Sequence, residues 1–291
     1  MNMQTAVKPA RRIFVAICVA TGLLLTARAA TQQAGSAREE LVRAGDATIH
    51  VMMRGEGPTV VLLPAAGRGV EDFDDLSTRL AQAGYRAVLP QPRGIGRSVG
   101  SLEGLTMHDL GADVAVVIKA MGGAPVTIVG HAFGNRVARI VATDHPALVK
   151  QVILLAAGGI VPPSPETQEA MRRASDASLP RDERLAARRR AFFATGNDPA
   201  TWEGGWHETA RQAQAAANRA TPVQEWWAAG AVPILVLQGT EDAIAPPENA
   251  QLLAKEYGDR VSVVEIQGAG HAMLPEQPER IASAILAYLR R

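Results

Sequence analysis

The apolar positions of the chain alternate between short continuous runs and longer stretches of helical spacing. Six runs are predicted as strands of one sheet: 59–63, 85–89, 126–129, 151–156, 233–237 and 261–266. Five intervening or following segments are predicted as helices: 70–82, 107–121, 135–143, 248–256 and 278–289. The run at 59–63 has no polar face, which is typical of a strand buried on both sides. This alternation predicts an α/β fold with a mostly parallel sheet flanked by helices.

Two regions depart from the alternation. Near the start, 40–43 and 47–53 are predicted as a hairpin joined by a turn at Gly45-Asp46. After Gly158 the alternation stops, and residues 162–229 contain three early prolines and several helical stretches before it resumes. We interpret 162–229 as an inserted helical cap between two parts of the core, 30–161 and 230–291.

The first 29 residues have the pattern of a secretory signal. A basic segment containing Lys8, Arg11 and Arg12 precedes an apolar run at 13–25. Ala27-Arg28-Ala29 then resembles a cleavage site. The apolar run is shorter than the roughly 18 residues of a membrane-spanning helix. The pattern predicts a cleaved signal peptide, no membrane span after cleavage, and a secreted or periplasmic protein. An uncleaved N-terminal anchor is the alternative.

Removal of this segment changes the charge and the available chemistry. Of 291 residues, 262 remain, with 26 basic and 29 acidic side chains and therefore a net charge of −3. That balance favours neither nucleic acid nor an anionic membrane as a partner, and a small molecule is the expected one. Cys18, the only cysteine, lies in the signal, so the mature chain lacks disulfides and thiol ligands. We expect no metal and no cofactor.

The segment Gly130-His131-Ala132-Phe133-Gly134 lies between a predicted strand and a predicted helix. A strand, a sharp turn and a helix form the context of the G-x-S-x-G nucleophile elbow. The two glycines stand where the tight turn leaves no room for a side chain. Ala132 occupies the nucleophile position, and alanine has no nucleophilic atom. The motif therefore indicates a fold more directly than a reaction.

Three further motifs follow at predicted strand ends: Arg93-Gly94-Ile95-Gly96-Arg97-Ser98, Gly239-Thr240-Glu241-Asp242 and Gly268-Ala269-Gly270-His271. With the elbow, they make the chain resemble the capped α/β-hydrolase family from about Glu40 to the C-terminus. The resemblance implies Asp242 as the acid and His271 as the base of the triad. It also implies an oxyanion hole formed by the backbone N–H groups of Ala66 and Phe133.

The chain departs from the family pattern at three places. Ala132 replaces serine, Pro64-Ala65 replaces the usual His-Gly, and Gln91 replaces a frequent aspartate. Because the chain retains its initiator methionine and signal and has no purification tag, we favour a natural alanine. An introduced serine-to-alanine change in an ordinary serine esterase is the alternative.

Other residues have two interpretations each. All four tryptophans, Trp202, Trp206, Trp226 and Trp227, fall in the predicted cap, where they either line a substrate pocket or form the cap's own core. His131 is interpreted as a packing residue rather than a base. Glu241 is expected to be solvated, with a substitute acid role as the alternative. Arg68 is a weak candidate for binding a substrate carboxylate, and 181–190 is expected to be a solvated helix face.

Two classes of function follow. In the first, the protein is a hydrolase of an ester-like or other small apolar substrate, with reduced or unconventional catalysis in which Asp242 orients His271 and His271 activates water. In the second, it is an inactive periplasmic protein that retains the pocket and binds a small molecule.

Overall fold

The computed structural model describes residue 1 and residues 37–291. The predicted signal peptide, with Cys18, lies outside this part of the chain. Among the residues described, no helix combines the length and apolar character required to cross a membrane.

Eight strands of the described chain form one sheet in the order β1-β2-β4-β3-β5-β6-β7-β8. They are β1 Arg38–Ala44, β2 Ala47–Arg54, β3 Thr59–Leu63, β4 Arg86–Pro90, β5 Val126–His131, β6 Val149–Leu155, β7 Ile234–Gly239 and β8 Val261–Ile266. The hairpin of β1 and β2 adds to β4 in antiparallel fashion, and the other pairings are parallel. The predicted α/β fold is thereby confirmed.

Helices cover both faces of this sheet and fill the insertion between β6 and β7. They are α1 Asp74–Gln82, α2 Met107–Met121, α3 Phe133–Asp144, α4 Pro165–Ser175, α5 Arg181–Phe192, α6 Glu208–Ala220, α7 Glu248–Tyr257, α8 Met273–Glu276 and α9 Pro278–Leu289. The predicted helix at 70–82 is divided, because 70–73 form a 3-10 turn before α1 begins. Helix α3 begins two residues earlier than predicted, directly after Ala132.

The core consists of two apolar layers, one on each face of the sheet. Neighbouring residues of one strand enter opposite layers, as Ile128 and Val129 of β5 do, since side chains alternate along a strand. Strands β3, β5 and β7 are buried along their whole length. Their carboxyl ends therefore meet at one rigid edge of the sheet, where ligand sites of open α/β sheets lie.

The inserted segment contains α4, α5 and α6, with an apolar cluster that includes Phe192, Phe193 and Trp202. The C-terminal end of the inserted segment packs in a different place from the rest. Trp226 and Trp227 belong to the core layer that packs on α3. Their rings lie over the buried guanidinium of Arg139, a residue of that helix. The structure thus assigns the last residues of the predicted cap to the packing of the core.

The prediction that 181–190 is a solvated helix face is wrong for part of helix α5, where Ala187 and Arg188 are buried. Arg188 is only 2% exposed and its guanidinium carbon lies 5.3 Å from the ring centroid of Trp206. A planar guanidinium stacks favourably on an indole face, which offsets part of the cost of its burial. Helix α5 therefore presents a partly buried face, not a fully solvated one.

Candidate active site

The elbow retains the backbone geometry that a nucleophile would require. Ala132 has φ 50° and ψ −108°, and α3 begins at the next residue. Such a conformation is strained for a residue with a side chain, by roughly 1–3 kcal/mol. A Cβ added to Gly134 would lie 2.1 Å from the carbonyl oxygen of Leu63, so only glycine fits there. The turn therefore still presents position 132 at the carboxyl end of β5.

His271 and Asp242 form a buried pair after β8 and β7. The Nδ1 atom of His271 lies 3.0 and 3.1 Å from the two carboxylate oxygens of Asp242. Oδ1 of Asp242 also accepts the N–H groups of Ile244 and Ala245 at 3.0 and 2.8 Å. A carboxylate held in this way keeps the proton on Nδ1 and leaves Nε2 free to accept one.

One cavity of about 1080 Å³ joins the predicted site residues. Its walls include Ala132, His271, and the two residues implied as oxyanion-hole donors, Ala66 and Phe133. Phe192, Trp202 and Trp206 form an aromatic part of its lining from the cap side. Charged and polar side chains, among them Arg136, Asp176 and Glu208, form much of the remaining lining, so the cavity suits a ligand with an apolar and a polar part.

The tryptophan prediction is corrected by this cavity. Trp202 and Trp206 line it, whereas Trp226 and Trp227 are 3% and 4% exposed and lie in the core beside α3. All four residues look alike in the sequence. Only Trp202 and Trp206 come from the part of the insertion that folds over the sheet edge.

One implied oxyanion-hole donor lies at the start of a helix, and the loop of the other is held by a residue that sequence reasoning missed. The N–H of Phe133 is the first of α3 and has no acceptor within its helix, and the helix dipole adds partial positive charge there. The loop that carries Ala66 is held from α6, since the side-chain oxygen of Gln214 accepts the N–H of Gly67 at 2.7 Å. Gln214 supplies the support that the missing His-Gly leaves open.

Gln91 holds the segment that follows the same loop. Its Oε1 accepts the N–H of Val70 at 2.9 Å, and its Nε2 donates to a carboxylate oxygen of Glu71 at 3.2 Å. The side chain of Gln91 is buried, which shields its bond to Val70 from water, whereas Glu71 is exposed. At the position of the frequent aspartate, Gln91 thus accepts one hydrogen bond from a backbone N–H and donates one to a carboxylate.

Glu276 is a second residue that sequence reasoning missed. One of its oxygens accepts the N–H of Ala194 at 2.6 Å and the other accepts the N–H of Gly270 at 2.7 Å. It thereby fastens the cap to the loop that carries His271. Burial raises the pKa of Glu276 to about 7. Glu276 lies in the segment Pro275-Glu276-Gln277-Pro278, but that local sequence does not show which N–H groups its carboxylate accepts.

The remaining candidates have structural roles. His131 is fully buried and its Nε2 donates to the carbonyl oxygen of His271 at 2.7 Å. Burial lowers the pKa of His131 to about 4, so it stays neutral as a packing residue.

Two further candidates are engaged with other groups. Glu241 accepts the N–H of Thr195 at 3.0 Å, while Asp242 holds the Nδ1 atom of His271. Arg68 pairs with Asp72 and stacks over Trp202, with its guanidinium carbon 4.7 Å from the ring centroid. The charge of Arg68 is therefore compensated within the protein.

Within residues 37–291, no group of three or more His, Cys, Asp or Glu side chains is arranged to hold a metal ion. The chemistry that the arrangement itself offers is proton transfer at His271, in a cavity that Ala66 and Phe133 also line.

Comparison with known proteins agrees with this geometry. Residues 60–284 match the model of the alpha/beta hydrolase family, and the chain belongs to that family. A non-heme chloroperoxidase from Streptomyces lividans is 26% identical over 254 residues, covering 76% of this chain and 87% of the relative. A 2-hydroxymuconate semialdehyde hydrolase from Pseudomonas sp. (strain CF600) is 26% identical, covering 89% and 96%. The structure of an esterase from Exiguobacterium antarcticum superimposes with a TM-score of 0.75 at 21% identity, covering 87% and 100%.

Proposed function

We propose that the protein hydrolyses small activated acyl compounds, esters foremost, by direct attack of water. The observation that carries the proposal is the buried His271–Asp242 pair, whose histidine lines the same cavity as Ala66 and Phe133. Because Ala132 has only a methyl group, the space that a serine hydroxyl would fill is part of the cavity and can hold a water molecule.

The reaction follows from these groups. Nε2 of His271 accepts a proton from water while the water oxygen bonds to the acyl carbon. The amides of Ala66 and Phe133 donate hydrogen bonds to the carbonyl oxygen as it becomes an oxyanion. The bond to the leaving oxygen then breaks, and the proton passes from His271 to that oxygen. The products are a carboxylic acid and an alcohol, and Asp242 keeps the imidazole oriented throughout.

The test compares the parent with His271→Ala on 4-nitrophenyl acetate, with His108→Gln as a control histidine outside the cavity. General-base catalysis contributes about 10²–10⁴ in rate, so His271→Ala should lose about that factor while the control retains the parent rate. Product formation is followed by absorbance and confirmed by chromatography. Equal rates for the parent and His271→Ala would contradict the proposal.

A ligand-binding protein without turnover is the second candidate. The cavity of about 1080 Å³ persists although Ala132 offers no nucleophile, and binding alone requires nothing more. This candidate predicts saturable binding of a small ligand with no product after prolonged incubation. For either function, the signal pattern leads us to propose a secreted or periplasmic place of action, which fractionation of the producing cells tests.

A further inference from the structure

Arg136 is a cation in the cavity wall without a carboxylate partner. It lies four residues after Ala132, so both residues share one side of the elbow helix, and both line the cavity. Its Nη1 donates to the side-chain oxygen of Asn218 at 2.6 Å, and its guanidinium carbon lies 5.4 Å from the ring centroid of Trp226. Within the described chain its Nε has no acceptor, and no neighbouring carboxylate influences its pKa. Burial lowers its pKa, as expected for a charge that lacks compensation.

A second uncompensated cation lies behind it on the same helix. Arg139 is fully buried, donates through Nη2 to Asn135 and to the carbonyl oxygen of Gly158, and leaves Nε and Nη1 without partners. Its guanidinium is held by indole faces at 4.9 and 5.0 Å, not by a carboxylate. The charge of Arg139 and the positive N-terminus of α3 add to the charge of Arg136 on this helix, although Arg139 itself is not part of the cavity wall.

The cations contributed by the cap differ. Arg172 pairs with Glu169, and Arg211 pairs with Glu208 in a bidentate contact at 2.7 Å. Arg219 stands at the exposed rim. Arg136 is therefore the partly buried cation of the lining whose charge the protein leaves unbalanced. A buried charge is costly unless it is paired, and a bound anion would provide that pairing.

We propose that the cavity binds small amphiphilic carboxylates, with the carboxylate on Arg136 and the apolar part against Phe192, Trp202 and Trp206. Asn218 orients the guanidinium from α6 and leaves Nη2 available as a donor. A charge-assisted bond from guanidinium to carboxylate is stronger than a neutral one. This inference rests on the proposed function only where it names the bond that is hydrolysed. If that bond is an ester, the expected substrate is a half-ester of a dicarboxylic acid, whose carboxylate would bind Arg136 and whose ester would lie at His271.

The test is a binding measurement that requires no turnover. Calorimetry compares 4-phenylbutyrate with the uncharged 4-phenylbutyramide, which has the same shape. The parent should bind the carboxylate at least about tenfold more tightly than the amide. Arg136→Gln should abolish this preference, whereas Arg172→Gln, at a cation already paired with Glu169, should preserve it.

A second variant removes the charge preference without removing the arginine. Asn218→Asp places a carboxylate on Nη1, so it should neutralise Arg136 and reduce the preference as Arg136→Gln does. Equal binding of the two ligands by the parent, no binding of either, or a preference that survives both variants would overturn the proposal. The same measurement in His271→Ala separates the two hypotheses, because loss of hydrolysis there leaves the carboxylate preference intact.

Discussion

Replacement of Ala132 by serine tests whether the elbow still positions a nucleophile for catalysis. The hydroxyl would stand on a residue with φ 50°, at the turn between β5 and α3. His271, Ala66 and Phe133 line the same cavity as position 132. The variant adds one oxygen atom to the chain, so its effect reports on the geometry of the remaining site.

The magnitude follows from two reference values. Loss of the attacking residue of a serine hydrolase costs about 10⁶ in turnover, or about 8 kcal/mol. Water activated by a histidine base retains about 10²–10⁴ of acceleration. The ratio of these two rate factors is about 10²–10⁴, which corresponds to about 3–5 kcal/mol. Ala132→Ser should therefore raise the turnover of activated esters by about 10²–10⁴.

Two measurements check this result. Turnover of 4-nitrophenyl acetate is compared for the parent, Ala132→Ser, and the double variant with His271→Ala. Intact mass spectrometry after incubation with a fluorophosphonate should show an adduct only where serine and histidine are both present. A folded Ala132→Ser protein with neither faster turnover nor an adduct would refute the inference that the elbow, the base and the amides are still aligned.

Two predictions concern stability. Gly134→Ala should lower the free energy of unfolding by at least about 3 kcal/mol, because its Cβ would lie 2.1 Å from the last carbonyl oxygen of β3. Gly204→Ala is the control, since a Cβ there would have nothing within 4 Å. Equal thermal midpoints for the two variants would contradict the argument. His108 contacts Asp144 and Glu225 at 2.7 Å, which raises its pKa above 6.5. This contact stabilises the fold fully below pH 6.5 and is lost as the pH rises through the raised pKa. His108→Gln should therefore lower the midpoint at pH 6 but not at pH 9, modestly because the ring is 41% exposed; an equal effect at both pH values would exclude the ion pairs as its cause.

Much of the site is determined locally and is therefore readable from the sequence. Strands buried on both faces require continuous apolar runs, and a sharp turn after β5 requires glycine at Gly130 and Gly134, so these patterns survive in a single sequence. Since the carboxyl ends of parallel strands meet at one edge, the order of the motifs also implied that Asp242 and His271 would lie near Ala132.

The tertiary structure decided what depends on distant segments. Gln214 supports the oxyanion loop from 147 residues away, and Glu276 joins the cap to the histidine loop across 82 residues. Trp226 belongs to the core while Trp202 faces the cavity, although the same residue type occurs at both positions. Local spacing specifies which backbone turns can form. The way the cap folds back over the sheet decides which partner a buried polar group has and which side of an aromatic ring is covered. Both are properties of the packed molecule.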